Sequence, residues 1–103
     1  MTVYISIGNS DGKLTQAAWS EFWHEVNLCI HSYAHVIHGE WVSLPTSRYQ
    51  NACWAIETVA RTEQQVMIQL WQLAQFHHQD SVAWADAPET VFLGPRRPAG
   101  REA

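Results

Sequence analysis

Two stretches of helical periodicity, each flanked by short runs rich in β-branched and aromatic residues, constrain this chain more than any other feature. Phe22, Val26, Cys29, Ile30 and Tyr33 recur at helical spacing behind Thr15, a suitable N-cap, while Leu14 is placed to pack on Trp19 across the first turn. That predicts a helix over about residues 16–33. Thr62 and Gln65 form a capping-box pattern, and Val66, Leu70 and Leu73 with Met67, Trp71 and Ala74 predict a second helix running to about His77.

The flanking runs read as strands. Residues 3–7 alternate apolar with smaller or amphipathic side chains, His35 to Ser43 and Asn51 to Thr58 are rich in Val, Ile, Trp and Ala, and Ser81 to Asp86 supplies a fourth run. Ala87-Pro88-Glu89 is a turn that could return Thr90 to Leu93 as a short fifth strand. The order β-α-β-β-α-β predicts an α/β (α+β) ferredoxin-like split arrangement, with two helices on one face of an antiparallel sheet. Residues 1–93 are expected to form one domain, and the Pro, Gly and Arg content of 94–103 predicts a disordered tail.

Charge narrows the partners. The formal net charge is −4, but the last ten residues hold three arginines and one glutamate, net +2, so the body carries −6. An acidic body repels phosphate backbones and argues against nucleic acid polymers as partners. No apolar stretch approaches the roughly 20 residues that span a bilayer, and the start lacks a basic segment leading into an apolar one. The expectation is an intracellular, cytoplasmic protein. Cys29 and Cys53 are read as buried thiols, not a bridge.

Topology indicates where function would sit. If the first strand points up, the segments Gly8 to Lys13, Pro45 to Asn51 and His77 to Asp80 converge at one end of the sheet. The resulting rim offers Asn9, Ser10, Asp11, Lys13, Ser47, Arg48, Tyr49, Gln50, Asn51 and Asp80, a mixture suited to a polar molecule with several donors and acceptors. Lys13 and Arg48, two of the body's three cations, would meet phosphate. Asn9, Asp11 and Asn51 would read polar edges or ribose hydroxyls, and Tyr49 or Trp54 would stack on a base.

Other constellations are weaker. Six tryptophans suit the core or a dimer face as well as a stacking role, with Trp41 a further candidate beside Trp54. His31, His35 and His38 would form a metal face only if the first helix continued, and Val36-Ile37 and Gly39 favour a strand there. Cys53 with His77 or His78 is the one nucleophile and base pairing worth testing. No metal or cofactor is expected.

The segments from Ile5 to Leu14, Tyr49 to Trp54 and Gln79 to Trp84 resemble small uncharacterised proteins of actinobacterial phages and their hosts. More loosely, a compact acidic protein with a polar, aromatic pocket is similar in kind to phage anti-defence sponges, which bind cyclic nucleotide or cyclic ADP-ribose-type immune signals without cleaving them. That resemblance implies a non-enzymatic protein that sequesters a small nucleotide-derived ligand. It is expected to be a homodimer or higher homo-oligomer through the open sheet face. The alternatives are an acidic protein-binding inhibitor or toxin-immunity protein and, third, a small hydrolase or transferase.

Overall fold

The computed structural model describes residues 1–9, 12–44, 46–47, 49–88, 91 and 93–95. Its elements follow the order β1 (Thr2–Gly8), α1 (Gln16–Tyr33), β2 (Val36–Val42), β3 (Asn51–Glu57), α2 (Ala60–Phe76) and β4 (Ala83–Ala87). The strands lie in the order β2-β3-β1-β4, every neighbouring pair antiparallel. This is the ferredoxin-like arrangement, with β3 inserted between β1 and β2 as the sequence order implied.

Alternation along the strands sets the core. Val3, Ile5 and Ile7 of β1 pair with Ile56, Trp54 and Ala52 of β3, and all six are buried on one face. Trp19, Phe22, Val26 and Ile30 of α1 and Val66 and Leu70 of α2 cover that same face. Burying a large apolar side chain stabilises by roughly 1.5–3 kcal/mol, so this single layer of contacts supplies most of the fold's cohesion. The opposite face carries Tyr4, Cys53, Ala55 and Trp41, and among the described residues no helix lies over it.

A one-residue irregularity in β2 redirects its second half. Ile37 pairs with Ile56 and Gly39 with Ala55, leaving His38 as the extra residue. The bulge puts Glu40 opposite Trp54 and on the helix side; an unbroken register would turn it outward. It also sets Gly39 beneath the Trp41 indole, where an added Cβ would lie 3.1 Å from Cη2 of that ring.

Helix boundaries differ in one informative place. Thr15 caps α1 as expected, its Oγ1 accepting from the Ala18 amide at 3.1 Å. The Thr62–Gln65 capping box does not form. Helix α2 begins three residues earlier than a Thr62 cap would place it, at Ala60, and Thr62 already lies within it, its hydroxyl donating to the Val59 carbonyl at 3.2 Å. Glu63 is instead drawn to the Thr58 hydroxyl, 3.1 Å away, so the side-chain contact that braces this helix start comes from β3's end. Strand β4 is displaced to Ala83–Ala87. The optional fifth strand falls partly outside the described residues, and its described members Val91 and Leu93 belong to no strand; the tail over 96–103 also lies outside them.

Candidate functional site

The three polar segments do meet. Beyond β1, the Asn9 amide donates to the Gln50 carbonyl at 2.8 Å, joining the first loop to the second. Lys13 Nζ lies 3.4 Å from Asp80 Oδ2, joining the first to the third. A cavity of about 330 Å³ opens between the end of β1 and the segment before β4, lined by Ser6, Gly8, Gln79, Asp80 and Ser81 among others.

Each loop spends part of its polar chemistry on itself. Asn9, 7% exposed, accepts from the Leu14 amide at 3.0 Å and donates to the Leu14 carbonyl at 2.9 Å, closing the loop into α1. Gly12 supports the closure at φ 70°, a left-handed conformation that glycine adopts without steric cost. Asn9 is therefore a clasp, with the oxygen and the nitrogen of its amide each engaged within the loop. In the second loop, Ser47 Oγ and Asn51 Nδ2 both donate to the Tyr49 carbonyl, at 3.1 and 3.3 Å, while the Asn51 amide donates to Ser43 Oγ at 3.0 Å. The Tyr49 side chain stands 53% exposed. Ser10, Asp11 and Arg48 lie outside the described residues.

Two further expectations change. Trp54 is 1% exposed and sits in the core, its Nε1 donating to Asn27 Oδ1 at 3.0 Å and to Glu40 Oε1 at 3.2 Å, so no face of its ring is open to a base. Period-two alternation places position 54 with Ile56 and Ala52, and nearness to the loop in sequence does not overcome it. Gln50 is 5% exposed and turns inward, donating from Nε2 to Gln16 Oε1 at 2.8 Å.

The histidines are divided among separate partners. His77 is buried against Phe22 and bonded to Glu25 of α1. His78 adopts φ 59° and ends α2: its amide donates to the Gln75 carbonyl and that of Gln79 to the Ala74 carbonyl, a Schellman closure. Cys53 belongs to the open face of the sheet, whereas His77 packs within the helix layer, so the sheet separates Cys53 from His77, one of the two bases suggested for it. His31 pairs with Glu40 at 2.6 Å and His38 with Glu57 at 3.3 Å. Among the described residues no group of three or more His, Cys, Asp or Glu could hold a metal ion. Both cysteines are free, and burial raises the pKa of the Cys29 thiol. Among the described residues no helix is long and apolar enough to cross a membrane.

Beside the rim, on the helix side of β2, lies a recess of about 290 Å³ lined by Gln16, Trp19, Ser20, Trp23, Val42 and Gln50. The sequence reading placed Gln50 at the rim and favoured Trp54 and Trp41 over Trp19 and Trp23 for a stacking role. The available signal was the i, i+3, i+4, i+7 stripe Gln16, Trp19, Ser20, Trp23, which interleaves polar residues with indoles along one helix face. Comparison with known proteins finds no matching protein family, no matching curated protein and no matching solved structure.

Proposed function

We propose that the protein binds and sequesters a small nucleotide-derived ligand at this rim, in the manner of a phage anti-defence sponge for cyclic nucleotide or cyclic ADP-ribose-type signals. The observation that carries the proposal is the joining of three polar loops at one end of the sheet through the Asn9–Gln50 and Lys13–Asp80 contacts. The Lys13–Asp80 pair is exposed, and such pairs contribute about 0–1 kcal/mol, so a ligand phosphate can replace Asp80 at little cost. In the sequence Arg48 is a second cation of the neighbouring loop, and Ser47, Asn51 and Tyr49 supply hydroxyl and amide groups. Sequestration is favoured over turnover because Cys53 and His77 lie on opposite sides of the sheet.

The test incubates stoichiometric protein with a panel of cyclic dinucleotides and ADP-ribose cyclisation products and measures free ligand before and after heating. Depletion with full recovery on heating supports a sponge. Depletion with a new chemical species means turnover, the hydrolase or transferase alternative. No depletion across the panel transfers the weight to a second reading, an acidic protein-binding inhibitor or toxin-immunity protein, which the exposed Trp41 and Tyr4 on the open sheet face favour. Self-association through that face belongs to either reading.

A further inference from the structure

Among the described residues, two buried side-chain polar atoms have no hydrogen-bond partner, Trp23 Nε1 and Gln50 Oε1. Both residues line the 290 Å³ recess beside the rim. Native interiors pair nearly every buried donor and acceptor, so an orphaned donor and an orphaned acceptor at one recess call for an explanation. Exchanging the oxygen and nitrogen of the Gln50 amide does not remove the problem. Only one end of that amide meets Gln16, and the exchange would leave an NH₂ unpaired in place of the carbonyl.

The recess has the chemistry of a slot for a flat ring. Trp19, 5% exposed, and Trp23 present indoles from successive turns of α1, and Val42 contributes an apolar side chain from β2. Its volume is far above the roughly 10–15 Å³ that admits one water, so a single solvent molecule does not fill it. The indole N–H can only donate, and the Gln50 carbonyl can only accept. The complementary group is therefore one that offers both a donor and an acceptor.

We propose that this recess binds a planar cyclic amide, the lactam or imide edge of a ring such as uracil or hypoxanthine. The ring N–H donates to Gln50 Oε1, and the adjacent ring carbonyl accepts from Trp23 Nε1. Both protein atoms are closed to water in the free chain, so entry requires Trp23 and Gln50 to shift and uncover them. The proposal deepens the rim reading and rests on it for the rest of the ligand: the base enters the recess while the phosphates remain at the rim. A site with buried groups that need partners discriminates strongly against a ring that lacks one of them.

The experiment titrates the full chain with uridine and inosine, read by tryptophan fluorescence and calorimetry, with N3-methyluridine as the ring whose donor is blocked. Saturable binding of uridine or inosine is expected, with N3-methyluridine weaker by about ten-fold or more than uridine. Gln50→Leu should weaken binding by a similar factor and still fold, because the bond it loses is to the exposed Gln16 while it also removes an unpaired carbonyl from the interior. If Gln50→Leu fails to fold, Trp23→Phe, which keeps an aromatic ring and loses the N–H, carries the same test. Absence of saturable nucleoside binding overturns the proposal, as does equal affinity for the methylated ring or indifference to both substitutions. The two readings fail separately. Nucleotide binding that depends on Lys13 but not on Gln50 overturns the recess and keeps the rim, whereas Gln50-dependent nucleoside binding that gains nothing from phosphate keeps the recess and overturns the rim.

Discussion

The indole of Trp54, in the middle of β3, donates its N–H to Asn27 Oδ1 on α1 at 3.0 Å and shares it with Glu40 Oε1 on β2 at 3.2 Å. One side chain thus ties the central sheet to both a helix and an edge strand from inside the core. Trp54→Phe removes the shared donor and leaves a void, and should cost about 2–3 kcal/mol in urea denaturation. Because the ring has no ligand-facing surface, affinity for any rim ligand should not change. A loss of binding with stability intact would return Trp54 to the site.

The Asn9–Leu14 clasp makes a different forecast. Asn9→Ala deletes two hydrogen bonds in a largely buried setting and should destabilise by about 1–3 kcal/mol, measured by the same denaturation. Asn9→Asp keeps the acceptor for the Leu14 amide and strips the donor from its carbonyl, so it should fall between the two. A stable Asn9→Ala chain that binds ligand weakly would instead make Asn9 a recognition group.

His78 occupies the left-handed position that closes α2, at φ 59°. A non-glycine residue pays sterically there, so His78→Gly should raise stability by about 0.5–1 kcal/mol after the entropy of glycine is counted. A rise in melting temperature checks it. A fall would show that the His78 imidazole makes a contact worth more than the backbone relief.

The two thiols should be distinguishable by reagent and by pH. Cys53 is only partly covered on the open sheet face, while Cys29 is buried in the helix layer and holds its proton above the ordinary value of 9.0. Iodoacetamide near neutral pH should label Cys53 first, and mass spectrometry of the peptides identifies which thiol reacts. The linkage has a definite sign: above the unfolded thiol's pKa, the unfolded chain loses a proton that folded Cys29 retains. The Cys29 contribution to stability is therefore flat below about pH 9 and falls as pH rises beyond it.

Trp41, 56% exposed, packs over Gly39 on the sheet face that no described helix covers. If that face closes against a second copy, light scattering at high micromolar concentration should give a dimer mass, and Trp41→Ser should shift it toward the monomer. A monomer at that concentration contradicts self-association. Gly39→Ala should act in the same direction but more weakly, because the indole must lift by a few tenths of an ångström to clear the new methyl.

What the sequence by itself determined is the succession of elements and the convergence of their loops. The helical spacing of Trp19, Phe22, Val26 and Ile30, the Thr15 cap and the strict alternation of Val3, Ile5 and Ile7 are local patterns, and local backbone geometry reads them directly. With two helices and four strands in that order, the meeting of the loops around Asn9, Gln50 and Asp80 follows from connectivity. Which side chains at the meeting point are committed to the fold is a tertiary matter. The Asn9 clasp depends on how closely Leu14 returns, and the capping box at Thr62 yields to a Thr58–Glu63 contact that no propensity encodes. Burial of Trp54 depends on strand phase, while Glu40 reaches its indole only because of the extra residue at His38. The recess that pairs Trp23 with Gln50 joins residues 27 positions apart in the chain, and its two orphaned atoms exist only once packing has removed the water that would have satisfied them.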